Sequence, residues 1–296
     1  MNQFLLTCFS VFTENQPQHL SQSTIVHKQK RIKPFLEYLE AKEIDSFADF
    51  DSSHVYEFMN SLNYSAQTKS GIAFATRNFF DILYFHGYSP FDGRTIFPVI
   101  FTNKRENIIS YYTPDEVKAI INSIDTSINS GVLHKCIITL AAQTGLRASD
   151  IATLKYDEIL WDKSIIQKVQ YKTGNLISVP LPDNIKYLLL DYLKNYRPPA
   201  QNDYVFISPR KHKPFTSMNL YQIFQLYFRK AEIDINCRKH GPHALRHSLA
   251  TNLLQNNTPM PVITGILGHS NINTTPRYLS IDIEGLRKAA LEVPSL

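Results

Sequence analysis

Cysteine is scarce in this chain: three cysteines, Cys8, Cys136 and Cys237, occur among 296 residues. They lie far apart, their number is odd, and no two of them form a Cys-x-x-Cys pair. This pattern argues against a disulfide framework and against a cysteine-based zinc site. We therefore expect the protein to work in a reducing, cytoplasmic setting.

Long apolar runs are missing too. None reaches the roughly 18 residues of a membrane span. The apolar stretch from Phe4 to Phe12 is short and no basic residue precedes it, which argues against a signal peptide. Glycine (10) and proline (16) follow no period, which excludes a collagen-like chain, while 43% hydrophobic residues suffice for a packed core.

The net charge of +5 is small, but it is unevenly distributed. Residues 1–105 hold 10 basic and 10 acidic side chains, whereas residues 106–296 hold 21 and 16. The positive excess of the second part favours an anionic partner, with nucleic acid as the first candidate. A slightly basic protein without such a partner is the alternative.

Hydrophobic periodicity predicts a mainly α chain with one small β-sheet. Three helices are expected in the first hundred residues, at 23–41, after Asp51 and at 65–86. The second part begins with the helix start Thr113-Pro114-Asp115-Glu116. We expect further helices at 132–143, 150–154, 183–195, 217–232, 243–256 and 259–267, and two strands at 164–171 and 176–179 that form a hairpin. The predicted division is a helical domain at 1–95, a linker at 96–112 and a second domain at 113–296.

Two segments carry candidate functional residues. In 143–150 (QTGLRASD), Arg147 follows the glycine that ends a buried helix, where its guanidinium could bind a phosphate or a carboxylate. A structural contact with Asp150 is the alternative. In 240–247 (HGPHALRH), His243 and Arg246 share one face beside a helix N-terminus, an arrangement suited to a phosphate. Ordinary helix polarity is one alternative there.

A metal site is a further alternative for this segment, because His243 and His247 are spaced i, i+4. It lacks the glutamate of an HExxH motif and a clear third ligand.

Taken together, the motifs resemble the tyrosine recombinase, or phage integrase, family over about residues 113–290. That family is marked by an arginine in a TGLR-type segment, a lysine on a β-hairpin, an HxxR pair, a histidine in LGH and a tyrosine nine residues later. The matching residues, in the same order, are Arg147, Lys172, His243, Arg246, His269 and Tyr278. The resemblance implies a simple two-domain member, with a helical core-binding domain (SAM-like) and an α+β catalytic domain that ends in a helix.

Two features depart from a plain match. Pro276 lies two residues before Tyr278, which predicts an unusual shape for that segment. Lys168 lies four residues before Lys172, on the same predicted strand and face, so it is a second candidate for the hairpin lysine. The Lys-Thr-Gly sequence favours Lys172.

The family resemblance implies a site-specific DNA recombinase that cuts and rejoins double-stranded DNA through a 3′-phosphotyrosyl intermediate, with no metal, ATP or other cofactor. Tyr278 is the implied nucleophile, Arg147 and Arg246 bind the phosphate, and Lys172 is the general acid. His243 and His269 assist, and Asp150 orients Arg147. Alternatives are a type IB topoisomerase-like nicking-closing enzyme and a non-catalytic DNA-binding regulator of the same fold.

Basic side chains outside these motifs are candidates for DNA backbone contacts. They are Lys28, Lys30, Arg31, Lys33, Arg210, Lys211 and Lys213, together with the segment 238–240. Solvated surface charge is the alternative for each. The resemblance further implies a homotetramer in the synaptic complex, a monomer when free, association with the nucleoid and a role in mobile elements. An amphipathic helix at 281–291 is expected to dock on a neighbouring subunit, and packing back on its own domain is the alternative.

Overall fold

The computed structural model describes residues 1–100 and 110–268. The chain divides into two compact units, Met1–Glu106 and Asn107–Leu296. The predicted site residues His269 and Tyr278, Pro276 and the predicted helix at 281–291 lie outside the described residues. In the described part, helices dominate and a single three-stranded antiparallel sheet is present. The predicted fold class, mainly α with one small sheet, is confirmed.

The first unit is helical. Its helices are α1 (Gln3–Glu14), α2 (Gln22–Ala41), α3 (Ser52–Ser61), α4 (Ala66–Phe85) and the short α5 (Gly93–Ile96). Each begins after a polar residue whose side chain accepts a hydrogen bond from a backbone N–H of the first turn, which satisfies a donor that the helix leaves unpaired. These capping residues are Asn2, Ser21, Asp51, Ser65 and Asp92.

Phenylalanine rings form the core of the first unit. Phe35 is fully buried and lies 5.0 Å from the ring centre of Phe58 and 5.3 Å from that of Phe97, both in edge-to-face contact. Helix α1, which periodicity did not assign, buries Leu5 and Phe12 in the same core. The apolar stretch near the N-terminus is therefore a core helix.

The ends of the predicted linker at 96–112 belong to the two units. Phe97 is 2% exposed in the first core, and the hydroxyl of Ser70 donates to the carbonyl of Ile100. Tyr112 is 1% exposed in the second core, and its N–H donates to the Ser248 hydroxyl at 2.8 Å. Both ends of the stretch are thus held by burial of an aromatic ring.

The second unit surrounds one buried helix. Its elements are α6 (Pro114–Asn122), α7 (Asn129–Thr144), α8 (Ala148–Ala152), β1 (Ile159–Leu160), β2 (Ile165–Val169), β3 (Leu176–Pro180), α9 (Asp183–Asp191) with a π-helical continuation (Tyr192–Tyr196), α10 (Ser217–Lys230), α11 (Pro242–Gln255) and α12 (Met260–Leu267). Helix α7 contacts α6, α8, α9 and α11. Because partners cover it on several sides, most of its side chains are apolar and buried.

The sheet order is β1-β2-β3, and the β2–β3 hairpin places Gln167 opposite Ser178 and Lys168 opposite Ile177. Strand β2 alternates, with Ile166 and Lys168 buried and Gln167 and Val169 exposed. The hairpin packs against α12. Its strands stop before the turn at 170–175, so that Lys172 lies in the turn and not on the predicted strand.

The three cysteines are free thiols; Cys8 and Cys136 are buried and Cys237 is exposed. Burial raises the pKa of Cys136 to about 12. None of the helices in the described ranges has the length and hydropathy needed to cross a membrane.

Candidate active site

Arg147 stands where two helices of the second unit meet. Helix α7 ends at Gly145, whose φ of 65° is left-handed, and Arg147 is the N-cap residue of α8. A Cβ at Gly145 would also approach Leu249 to 3.0 Å and Leu267 to 3.2 Å, so both conformation and space favour glycine. The Nη1 atom of Arg147 is buried and has no hydrogen-bond partner among the described residues. A buried unpaired guanidinium nitrogen indicates a site for an anionic group.

Arg246 is a buried guanidinium that joins three segments. It lies on α11 and is 4% exposed. Its Nη1 donates to the carbonyl of Gly145 at 2.6 Å, and its Nη2 donates to the carbonyl of Leu267. The TGLR segment, the HxxR helix and the end of α12 therefore meet at this side chain, and its position is fixed by main-chain atoms.

His243 lies one turn before Arg246, in the first turn of α11. Desolvation lowers its pKa most, and the positive charges of Arg246, Lys172 and Arg147 lower it further, in that order. Three cations from three different segments thus act on one imidazole. Four of the six predicted site residues are therefore close enough to interact through their charges, and the lowered pKa favours the neutral imidazole near pH 7.

The turn that carries Lys172 is exposed, but its backbone is anchored. Gly174 adopts a φ of 69°, and its N–H donates to the carbonyl of Gln170 at 2.9 Å. The N–H of Tyr171 donates to Oδ1 of Asp150 at 2.8 Å. The residue before Lys172 is therefore tied to helix α8, the helix that Arg147 caps.

Asp150 has a different partner from the predicted one. Its side chain is fully buried, and Oδ1 accepts from Tyr171 N–H, whereas Oδ2 has no hydrogen-bond partner in the part of the chain that the structure describes. In the described residues no hydrogen bond joins Asp150 to Arg147. Through Oδ1 this carboxylate holds the hairpin turn, and its role in orienting Arg147 stays a prediction.

Lys168, the rival of Lys172, is committed to a structural ion pair. Its Nζ donates to both carboxylate oxygens of Glu158, at 3.0 and 2.8 Å, and to the carbonyl of Thr153 at 2.9 Å. It is 4% exposed. An ammonium group with its three donors engaged and almost no exposure to solvent is unsuited to deliver a proton to DNA. The geometry favours Lys172.

The sequence pattern did not single out Gln170. This buried side chain donates from Nε2 to the carbonyl of Leu267 at 3.2 Å, and its Oε1 accepts from the Thr173 hydroxyl at 2.7 Å. A glutamine two residues before a lysine matches no recognised motif, and its partner is a main-chain oxygen far along the chain.

Comparison with known proteins decides the family. The model of the phage integrase family matches residues 110–284. The chain belongs to the phage integrase, or tyrosine recombinase, family. It is 30% identical to the "Putative integrase/recombinase y4gC" of Sinorhizobium fredii over 61% of this chain and 93% of that protein. It is 26% identical to the "Tyrosine recombinase XerD" of Pasteurella multocida over 91% of each chain.

Solved structures show the same fold. The XerH site-specific recombinase bound to difH substrate in a pre-cleavage complex superposes with a TM-score of 0.76 at 19% identity, over 98% of this chain and 95% of that one. A lambda integrase tetramer bound to a Holliday junction gives 0.72 at 18% identity, over 93% and 76%. The resemblance read from the motifs is therefore confirmed at the level of family and fold, and site-specific recombination is the activity that these relatives support.

In this family member the predicted DNA contacts of the first unit differ in accessibility. Lys30, Arg31 and Lys33 are exposed on α2. Lys28 is half-buried, and its Nζ donates to Asn78 Oδ1 at 2.7 Å and to Gln16 Oε1 at 3.1 Å. Burial lowers the pKa of Lys28. Because protein oxygens hold this ammonium group, Lys28 is the weakest DNA-contact candidate on α2.

The second unit offers a basic turn and a structural arginine. Arg210, Lys211 and Lys213 are all exposed. Arg238, in the segment also considered for DNA contacts, instead donates to both carboxylate oxygens of Glu116, at 2.6 and 3.0 Å. Its guanidinium lies 3.8 Å from the ring centre of Tyr112. Arg238 therefore stabilises the fold, and it is the weaker candidate for a phosphate contact in this unit.

The alternative of a metal site gains no support from geometry. Within residues 1–100 and 110–268, no three histidine, cysteine or carboxylate side chains come close enough together to hold a metal ion. Helix α12 ends at Gly268, with φ 59°, immediately before His269 in the sequence.

Proposed function

We propose that this chain is a site-specific DNA recombinase that cuts and rejoins double-stranded DNA through a covalent bond between Tyr278 and a 3′ phosphate. The observation that carries the proposal is the convergence of Arg147, Lys172 and Arg246 around His243, at the junction of buried helices. A cluster of positive charges of this kind suits the binding of a phosphodiester.

The two arginines bind the nonbridging oxygens of the scissile phosphate and stabilise the charge that develops there. The unpaired Nη1 of Arg147 supports a role in binding substrate. The two backbone carbonyls that hold Arg246 fix its charge before DNA arrives. Such preorganised donors typically contribute about 10²–10³ in rate each.

Proton transfer completes the cleavage. Tyr278 oxygen attacks phosphorus, the bond to the 5′ oxygen breaks, and Lys172 gives that oxygen a proton. The lowered pKa of His243 leaves its imidazole neutral near pH 7, able to accept the phenol proton or to bond the phosphate. His269 adds a further hydrogen bond. The phosphotyrosyl bond conserves the phosphodiester energy, so that rejoining needs neither ATP nor a metal ion.

The assembly follows from the chemistry of exchange. Joining two duplexes requires four strand cleavages, so we propose a homotetramer on DNA, formed from chains that are monomeric when free. The segment 281–291 would link neighbouring subunits. Contacts with the DNA backbone come from Lys30, Arg31 and Lys33 and from the basic turn at 210–213. A cytoplasmic protein that moves a mobile element on the nucleoid fits this chemistry, with 1–95 as the core-binding domain and 113–296 as the catalytic domain.

A nicked suicide substrate tests the proposal. The wild-type chain should form a covalent adduct on a substrate labelled at the 3′ phosphate, also in excess EDTA. Tyr278→Phe should bind the same DNA without an adduct, because only the nucleophilic oxygen is removed. An adduct in the variant would overturn the choice of nucleophile, and loss of the wild-type adduct in EDTA would overturn metal independence.

Products on two-site DNA separate the remaining alternatives. Recombinant joints support a recombinase, relaxation without recombinants indicates a topoisomerase-like enzyme, and DNA binding without any adduct indicates a regulator.

A further inference from the structure

The Leu267 carbonyl is shared by two buried side chains of the site. It accepts from Nη2 of Arg246 and from Nε2 of Gln170, the latter at 3.2 Å. Arg246 belongs to the helix that carries His243, and Gln170 belongs to the turn that carries Lys172. One main-chain oxygen at the end of α12 therefore connects the phosphate-binding arginine with the proton donor.

Gln170 also organises the turn itself. Its Oε1 accepts from the Thr173 hydroxyl at 2.7 Å, its N–H donates to the carbonyl of Asn175, and its carbonyl accepts from Gly174 N–H, both at 2.9 Å. Lys172 lies inside the loop that these bonds close. A displacement of the Gln170 side chain would therefore move the lysine with it.

The fit around Gln170 leaves little freedom. The side chain is 1% exposed, and a Cβ at Gly268 would come within 2.6 Å of its Nε2. The amide thus packs directly on the backbone of the residue that precedes His269. Such contact holds the Gln170 amide in one conformation, whereas the side chain of a solvated glutamine would adopt several.

We infer that Gln170 is a positioning residue for the general acid: it holds the Lys172 turn to the same carbonyl that holds Arg246. The inference rests on the proposed function. In the step concerned, the bond from phosphorus to Tyr278 oxygen forms, the bond to the 5′ oxygen breaks, and the Lys172 ammonium gives its proton to that oxygen. Gln170 touches neither DNA nor proton and acts through the lysine.

The test compares two leaving groups in Gln170→Leu. This change keeps the approximate volume and removes the bond to Leu267, whose carbonyl still accepts from Arg246. A small misplacement of a reacting group costs up to about 10²-fold. We expect single-turnover cleavage of ordinary DNA to slow by about tenfold to hundredfold. On DNA with sulfur at the 5′ bridging position, the loss should stay below about threefold, because a thiolate leaves without a proton.

Matched variants define the scale. Lys172→Ala gives the sulfur-to-oxygen rate ratio expected when the general acid is lost completely. Gln167→Leu makes the same glutamine-to-leucine change on the exposed face of the same hairpin, where no effect on the rates is expected. Gln170→Glu keeps the acceptor for Thr173 and removes the donor to Leu267, so it should behave like Gln170→Leu. The ratio of sulfur to oxygen rates does not depend on the folded fraction, which makes it robust to partial unfolding.

The outcomes are distinct. A raised sulfur-to-oxygen ratio in both Gln170 variants supports the inference. Equal losses on both substrates, or a ratio equal to the wild-type value, overturn it and leave Gln170 as a packing residue. A wild-type chain that forms no adduct overturns the proposed function and, with it, this inference.

Discussion

Replacing Lys168 by methionine should destabilise the second unit without changing the role of the general acid in DNA cleavage. Removing Lys172 should slow cleavage and leave the stability unchanged. The two lysines belong to one hairpin, four residues apart. Lys168 is 4% exposed and makes three hydrogen bonds, two of them to the Glu158 carboxylate. Lys172 is exposed, and its charge acts on His243.

The size of the stability loss follows from the ion pair. Removing one partner of a buried pair costs about 3–5 kcal/mol. The lower end applies here, because the Glu158 side chain is 21% exposed and keeps a hydrogen bond from Lys155 N–H at 2.8 Å. Lys168→Met should therefore lower the free energy of unfolding by about 3 kcal/mol, or lower the Tm by about 6–12 °C for a unit of this size.

A natural probe reports on this unit alone. Trp161 is the sole tryptophan of the chain and follows β1, close in sequence to Glu158. Its fluorescence during urea unfolding measures the stability of the second unit. Lys163→Met is the matched control, since Lys163 is exposed, and its effect should stay within about 0.5 kcal/mol. Adding Glu158→Gln to Lys168→Met should recover part of the loss, because no uncompensated carboxylate remains.

Cleavage kinetics give the other half of the comparison. Lys172→Ala should leave the unfolding curve in place and slow cleavage of ordinary DNA by about 10²–10⁴-fold. Sulfur at the 5′ bridging position should restore the rate. The reasoning is refuted if Lys168→Met unfolds like the wild type and its cleavage defect is the one that sulfur rescues.

Three further predictions use the same assays. Arg147→Ala and Arg246→Ala should each slow cleavage by about 10²–10³-fold. Only Arg246→Ala should also lower the free energy of unfolding, by about 1–3 kcal/mol for each carbonyl left unpaired. A loss of DNA affinity as large as the loss of cleavage rate would contradict the catalytic role of these arginines. Burial lowers the pKa of His134 from 6.5 to about 4, so the unfolded chain binds the proton first and stability should fall as the pH drops through that window. His134→Gln should flatten this dependence, and parallel curves for the two proteins would contradict it. Lys211→Met should reduce the salt dependence of DNA binding by about one phosphate contact, whereas Arg238→Met should not, as titrations at several salt concentrations would reveal.

Periodicity was a good guide to the long helices. Helix α2 was predicted at 23–41 and observed at Gln22–Ala41, because Phe35, Leu36 and Leu39 mark one buried face. The two-residue strand β1 is too short to create a repeating pattern, and it was not predicted. The helix predicted at 183–195 covers α9 and most of the turn at Tyr192–Tyr196, but periodicity does not distinguish its π-helical form. Helix α1 was considered only as a possible leader, although its buried residues Leu5, Cys8 and Phe12 have the spacing of one helical face.

The family motifs identified which residue types to look for, but they did not show how those residues are held. Two lysines at i, i+4 on a strand look equivalent in the sequence. Only the fold brings Glu158 and the Thr153 carbonyl to Lys168. Likewise, Asp150 lies close to Arg147 in the sequence, which suggested that the two side chains pair. In the fold, the Asp150 carboxylate instead accepts a hydrogen bond from the N–H of Tyr171 at 2.8 Å.

The hydrogen bonds that fix the site share a property that hides them from sequence analysis. Arg246 is held by the carbonyls of Gly145 and Leu267, Gln170 by that of Leu267, and Asp150 by the N–H of Tyr171. Every residue other than proline supplies these main-chain groups, so no residue type marks their positions. Substitution at Leu267 cannot remove its carbonyl and can only move it. The site should therefore respond sharply to changes in the three side chains that reach these groups, whereas a change at Gly145 or Leu267 acts through backbone conformation and packing.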